Sequence, residues 1–315
     1  MSARVGERGS SGAAVRTRFA PSPTGDLHVG GAWTALASWV VARRRQGASL
    51  LRIEDLDTPR VVKGSEEALV EDLLWLGLDW DERTPRQSQR GSEYAGAVAS
   101  LEARGLAYPC DCSRTDIALV ARAPHLGEES VYPGTCRDKD PAREMRRSPA
   151  VRVRVPDETV SFVDGAQGAI LQNLAREVGD FVLRRGDGVY AYQLAVVVDD
   201  AAGAVTDVVR GADLLGSTAR QIWLARTLGL TPPAYTHVPI VTAPDGSRLE
   251  KRSPSATVRG LRAAGVAPER IIGRLAHGLG LVRDAAPMTA AEAAGRSAST
   301  EIVWRQAAWP YPNDW

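Results

Sequence analysis

Apolar positions along this chain recur at helical spacing in some stretches and run unbroken in others, and the two patterns alternate. Arg16–Ala20 is short and strand-like and gives way to Pro21-Ser22-Pro23-Thr24-Gly25, a turn-forming string. The apolar run from Trp33 to Val41 reads as a helix that closes in the arginines 43–45, where cations suit the negative end of the helix dipole. Leu50–Ile53 reads as a buried strand ending in the acids Glu54, Asp55 and Asp57. Ser65, followed by Glu66 and Glu67, predicts an N-cap with acids in the first turn. Leu69, Leu73 and Leu76 continue at helical spacing, and Gly77 is placed to stop the helix. A further helix is expected from Ser92 through Tyr94, Val98 and Leu101 to Gly105. Strand, helix, strand, helix is the rhythm of an α/β fold with a parallel sheet.

The rhythm breaks at Tyr108. To about Pro149 the chain is rich in Cys, Pro, Asp and Arg without periodicity, which reads as an insertion. Alternation returns at Val151, Val153 and Val155, predicting a strand with one polar face. Leu194–Val198 and Val205–Val209 are continuous apolar runs, both expected as inner strands, and Thr218–Leu228 reads as a helix ended by Gly229. A polar loop follows Asp245, then helical segments to Trp309–Trp315. The tryptophans Trp304, Trp309 and Trp315 suit hydrophobic docking of a terminal segment, with stacking on bases as the other use.

Composition narrows the partners. Hydrophobic content of 44%, charged content of 24% and a net charge of +1 are those of a globular protein without a global basic field. An RNA partner therefore needs a local patch. No apolar run approaches membrane-spanning length and no signal peptide is evident, so a soluble cytoplasmic protein, a monomer, is expected. The small and polar residues 1–15 read as a disordered tail. Of 39 basic residues only Lys63, Lys139 and Lys251 are lysines, which makes each of the three worth attention.

The chemistry begins at Arg18-Phe19-Ala20-Pro21-Ser22-Pro23-Thr24-Gly25, followed by His28-Val29-Gly30-Gly31. A strand runs into a turn and a helix starts at glycines, the arrangement in which open α/β sheets bind phosphates. His28 offers a hydrogen bond to phosphate, and Gly30 lets a flat base approach the backbone. Taken alone, these residues fit an ordinary proline-rich turn as well. The whole string resembles the first signature of class I aminoacyl-tRNA synthetases, and with Arg52-Ile53-Glu54-Asp55 it resembles their glutamyl branch. Tyr190–Asp200 and Val205–Gln221 resemble the segments that complete that branch's amino acid site.

The resemblance implies an α/β Rossmann-type catalytic domain and a set of roles. Arg18, Ala20, Ser22, Glu54, Tyr192 and Arg210 would bind glutamate, with arginines facing carboxylates and Glu54 facing the ammonium group. His28, Gly30, Gly31 and Lys251 would bind ATP, and His28 and Lys251 would stabilise charge developing on phosphate. Magnesium would accompany the ATP. The second signature should be Arg248-Leu249-Glu250-Lys251-Arg252, where Lys251 matches the key position. Arg248 and Glu250 depart from the usual lysine and small residue. A carboxylate there repels triphosphate unless a neighbouring arginine pairs with it.

Cys110, Cys112 and Cys136, all the cysteines of the chain, fall within the insertion. They are too few and odd in number for a disulfide framework, and suit either a zinc staple or plain reduced thiols. Ordinary zinc chemistry would take His125 as fourth ligand. The pattern Cys-x-Cys then Tyr-x3-Cys resembles the short glutamyl-Q tRNA(Asp) synthetases, which implies one structural zinc on Cys110, Cys112, Tyr132 and Cys136.

The implied division is a tail at 1–15, the first half of the catalytic domain at 16–108, a zinc-binding insertion at 109–175, the second half at 176–245, and the lysine loop with a short helical C-terminal part at 246–315. Past Lys251 the chain is too short for a helical anticodon-binding domain. The expected partners are therefore ATP, L-glutamate and tRNA(Asp) carrying queuosine, with glutamate activated without tRNA. The alternatives are a shortened glutamyl-tRNA synthetase and a non-catalytic glutamate- or RNA-binding relative.

Overall fold

The computed structural model describes residues 14–113, 115–117, 131–243, 245–246, 256–295, 302–312 and 315. Strand β1 (Arg16–Phe19) lies parallel to β2 (Ala48–Leu51), which lies parallel to β3 (Glu82–Arg83). The crossovers are α1 (Val29–Arg44) and α2 (Ser65–Trp75), and α3 (Gly91–Ala103) follows β3. Helix α1 starts earlier than its apolar run, because His28 caps it: Nδ1 accepts the Gly30 N–H at 3.1 Å. Ser65 is not the cap of α2. Gly64 holds that position at φ +82°, and the Ser65 hydroxyl instead donates to the Pro23 carbonyl at 2.6 Å, tying α2 to the proline turn. Gly77 and Gly105, expected to end α2 and α3, sit just past them with positive φ.

The described part of the irregular stretch lies against an antiparallel sheet. Strand β4 (Ala107–Cys110) pairs with β5 (Ala150–Val153); a hairpin of β6 (Thr159–Asp164) and β7 (Gly168–Asn173) follows, and β8 (Val182–Arg184) pairs back on β5. This sheet runs through the boundaries expected near 108 and 175, since β4 and β8 both belong to it.

Helix α4 (Tyr192–Ala202) corrects the reading of Leu194–Val198 as a strand. Leu194, Ala195, Val196 and Val197 are all buried, between the sheet and the neighbouring helices, so the run shows no period by which helix and strand differ. Strand β9 (Asp207–Gly211) bears out the second run, and across helix α5 (Thr218–Thr227) it pairs in parallel with β10 (Ala234–Val238). The two parallel pieces meet between β1 and β9, where Thr206 N–H donates to the Arg16 carbonyl at 2.9 Å. Their faces separate two cores. Leu50 and Val208 pack with α3, α4 and α5; Leu51 and Val209 pack with α1 and α2. This is the doubly covered α/β sheet that the rhythm predicts.

Three short helices close the second core: α6 (Val258–Ala263), α7 (Pro268–Leu279) and α8 (Ala290–Gly295). Strand β11 (Val241–Thr242) takes up β12 (Trp309–Pro310) in parallel, and Trp309 stacks on Trp33 of α1 with ring centres 4.9 Å apart. Gly278 of α7 makes room for this stack, since a Cβ there would come within 2.6 Å of Trp33. The tryptophans therefore serve docking. No helix among the described residues is long and apolar enough to cross a membrane.

Candidate active site

The chain order places β1 beside β9 while their crossovers run to opposite sides. At such a switch point a parallel sheet opens a crevice past the strand ends. Both expected arginines lie there. Arg18 is the third residue of β1, and Arg210 is the fourth of β9. Each is only 4% exposed.

Arg18 Nε donates to Asp200 Oδ1 at 3.2 Å, and among the described residues its two terminal nitrogens make no hydrogen bond. Asp200 also receives Arg52 at 2.6 Å, and the other arm of Arg52 reaches Glu54 Oε1 at 3.0 Å. Burial pushes the Glu54 carboxyl up although Arg52 and Arg18 pull against it, whereas for Asp200 the same two arginines outweigh burial and hold it down. Glu54 is thus a carboxylate whose charge a further cation would stabilise. The backbone fixes it too: Glu54 N–H donates to Pro21 O at 3.0 Å, fastening the end of β2 to the turn that holds Ala20 and Ser22.

Arg210 has a different setting. Its Nε donates to His237 Nε2 at 3.0 Å, one terminal nitrogen to the Tyr192 hydroxyl at 3.2 Å, and the other to Thr218 Oγ1 at 2.9 Å. Among the described residues no carboxylate comes within ion-pair range of it. A buried guanidinium with neutral acceptors keeps its charge available. The Tyr192 phenol is pushed up by burial and feels Arg210, Glu54, Arg18 and Asp200 together, so these groups share one electrostatic environment.

The segment expected to bind phosphate sits on the neighbouring helix start. A Cβ on Gly31 would come within 2.8 Å of Leu27, and Gly30 donates to the His28 ring. Thr257 pairs with His28, and Val258 N–H reaches the Leu27 carbonyl at 2.9 Å, so the start of α6 lies against this segment. Lys251, with Arg248 and Glu250, lies outside the described residues, as does His125.

The three cysteines converge. Their sulfurs lie within 4.8 Å of one another, and the Tyr132 hydroxyl is 3.3 Å from Cys110 Sγ and 3.6 Å from Cys112 Sγ. Tetrahedral zinc sets neighbouring sulfurs about 3.8 Å apart, so one ion fits among these four groups with small adjustments. The supports are also in place. Arg152 lies 3.8 Å above the Tyr132 ring, and Asp111 accepts from the Arg143 side chain and the Arg146 N–H beside Cys136.

Comparison with known proteins decides the family. The model described as tRNA synthetases class I (E and Q), catalytic domain, matches residues 14–308. A glutamyl-Q tRNA(Asp) synthetase of Geobacter sulfurreducens is 49% identical over 91% of this chain and 89% of its own. The chain belongs to the glutamyl-Q tRNA(Asp) synthetases, within class I. The protein of that name from Deinococcus radiodurans is 51% identical over 84% of this chain and 89% of its own. Among solved structures, the glutamate-tRNA synthetase of Elizabethkingia anophelis matches with a TM-score of 0.81 and 27% identity, covering 96% of this chain and 69% of that one. As a glutamyl-Q tRNA(Asp) synthetase family member, the chain is a ligase-type enzyme.

In this member of the glutamyl-Q family, the described part of the expected site comes together in two places, one around Arg18, Glu54, Tyr192 and Arg210 and one around the cysteines. Sequence reasoning assigned no role to Arg52, Asp199, Asp200, Asp164 or His237. Asp199 accepts from Tyr94 at 2.9 Å and from Gln87 at 2.8 Å, and so braces the far side of α4. The available signal was a pair of acids at the end of an apolar run. Buried acids need partners, and Arg52 inside a buried strand was a matching cation.

Proposed function

We propose that this enzyme activates L-glutamate with ATP in the absence of tRNA, and transfers the glutamyl group to the cyclopentene-diol of queuosine at the wobble position of tRNA(Asp). The observation that carries the glutamate reading is Arg210, a buried guanidinium on neutral partners beside Tyr192, Glu54 and Arg18. Arg210 with the Tyr192 hydroxyl receives the side-chain carboxylate, Glu54 the ammonium group, and Arg18 the α-carboxylate. Ala20 and Ser22 line the entrance from the turn. Glutamine would leave Arg210 facing an amide, which supplies discrimination.

The α-carboxylate attacks the α-phosphorus in line, a new C–O–P bond forms, and pyrophosphate leaves. A queuosine hydroxyl then attacks the carbonyl of the adenylate and AMP leaves. Positioning and charge stabilisation carry both steps, with no covalent enzyme intermediate. His28 and Lys251 stabilise charge on phosphate oxygens, and Gly30 and Gly31 leave room for the nucleotide. Magnesium, when bound with ATP, neutralises the triphosphate. Cys110, Cys112, Tyr132 and Cys136 hold one structural zinc, in an insertion that runs from β4 to β8 between the two catalytic halves. With ATP and tRNA as substrates, the enzyme works as a cytoplasmic monomer. The queuosine part rests on the names of relatives that match 91% and 84% of this chain.

Pyrophosphate exchange with ATP and glutamate, without tRNA, tests activation: exchange that glutamine and aspartate do not support is expected. Exchange only after tRNA is added would sink the tRNA-independent step. For transfer, labelled glutamate is offered to tRNA(Asp) lacking its terminal adenosine. Label should enter queuosine-containing tRNA alone, and a requirement for the intact 3′ end would overturn the reading in favour of ordinary charging.

A further inference from the structure

His237 and Asp164 lie beyond every residue so far given a role, yet they converge on Arg210. His237 stands directly opposite Arg210 in the register of β10 on β9, and its ring is completely buried. Nδ1 lies 2.6 Å from Asp164 Oδ2, while Nε2 faces Arg210 Nε at 3.0 Å. Arg210 has only N–H groups to offer, so Nε2 must be the acceptor and Nδ1 must carry the proton toward Asp164.

The rest of the setting enforces that tautomer. Asp164 also accepts the N–H groups of His237, Ala166 and Gln167, each at 3.0 Å. Burial would raise its carboxyl, but these donors together with the ring outweigh it and keep it an anion. Burial lowers His237, and Arg210 adds to this against the pull of Asp164, so the ring stays neutral. Asp164 reaches this place from the β6–β7 hairpin. Gly165 beside it cannot bear a side chain, because a Cβ would collide with Thr236.

We propose that Asp164 and His237 form a positioning relay that fixes the Arg210 guanidinium while leaving its charge uncompensated, and that this relay sets the preference for a carboxylate over an amide in the substrate side chain. The physical point is the imidazole spacer. A carboxylate placed directly on Arg210 would orient it equally well but would neutralise it, and the pocket would then gain nothing from a second carboxylate. A neutral ring orients Nε without spending the charge. Thr218 Oγ1, 3.1 Å from His237 Nε2, shares the task. The inference rests on the glutamate reading above.

The test is a pair of variants read by pyrophosphate exchange and an observation on the parent enzyme. His237→Leu should raise the glutamate KM roughly tenfold or more, the scale of one hydrogen bond to a charged group. Its ATP KM should stay within about twofold, and its preference for glutamate over glutamine should fall. His237→Gln, which can offer an amide oxygen to Arg210, should recover most of the loss. Equal changes in both KM values, or a glutamine variant no better than the leucine one, would overturn the relay as a device acting on the substrate. Nitrogen-15 NMR of the imidazole should show a neutral, Nδ1-protonated ring at about pH 6.5, where a free imidazole is half protonated. A charged ring or the other tautomer would overturn the relay even if the leucine variant failed to fold. A parent enzyme inert toward glutamate would instead sink the glutamate reading and the specificity inference with it, whatever the ring's tautomer.

Discussion

At the scale of single residues, the candidate site separates two kinds of arginine. Arg52 is buried among Asp199, Asp200 and Glu54, and its charge is consumed in holding them. Arg210 is equally enclosed but leans on a phenol, a hydroxyl, a carbonyl and a neutral imidazole. Only the second arrangement leaves a strong incentive for an incoming anion. Arg210→Gln is expected to raise the glutamate KM about 100-fold while changing the ATP KM little, since the loss removes one charged contact to substrate. Steady-state exchange at varied glutamate and at varied ATP measures both. A matched rise in the two constants would show that Arg210 supports the fold more than the substrate.

Among elements, the junction of α2 with α6 lies next to the segment that carries His28. Arg259 and Arg262 of α6 both reach Glu71 of α2, at 2.7 and 2.9 Å. The next residue, Asp72, is fully buried, and neither carboxylate oxygen has a hydrogen-bond partner among the described residues; Arg259 Nε is 3.8 Å away. Burial pushes this carboxyl from 3.8 up to about 6, against the pull of Arg259. Between those two values the folded state holds a proton that the unfolded chain has released. Stability therefore falls as pH rises through that window, and the full penalty stands above about pH 6. Asp72→Asn should be more stable than the parent at pH 7, by on the order of 2 kcal/mol, and should lose that advantage by about pH 4. Urea unfolding at the two pH values measures the difference. An unchanged gap would show that the charge of Asp72 is not what costs stability there.

For the whole molecule, the antiparallel sheet of β4, β5 and β8 has a cysteine cluster at one end and a hairpin reaching the parallel sheet at the other. The cluster of buried side chains at the cysteine end is small, comprising Tyr108, Cys110, Tyr132 and Cys136, whereas Val151, Val153 and Leu183 pack into the core of α3 and α4. So small a cluster gains from a further tie, which the proposed zinc would supply. Elemental analysis should find one zinc per chain. Cys112→Ser should lose it and speed amide hydrogen exchange in β4 and β5 at least tenfold while α1 and β1 stay protected. A variant that retains stoichiometric metal, or an enzyme isolated without any, would refute the site.

The periodic stretches were legible without coordinates. Helices α2 and α3 lie where apolar spacing and terminal glycines put them, because each buries one face and so leaves a period in the sequence, whereas α1 and β9, buried on both sides, show as unbroken apolar runs. Arg18, Glu54, Tyr192, Arg210 and the cysteines with Tyr132 were singled out through the resemblance of their strings to the synthetase family, since residue types alone left ordinary turns, ion pairs and His125 as alternatives. Other features depended on neighbours distant in the chain. Leu194–Val198 became a helix because burial on both sides erased its period, and that helix carries Asp199 toward Tyr94 and Asp200 toward Arg18. His237 and Asp164 became partners only where β10 and the hairpin cross, 73 positions apart in sequence. A periodic face is written locally, one residue after another. Which buried charge meets which is fixed only when the sheets and helices pack, and only there does Arg210 find neutral acceptors in place of a carboxylate.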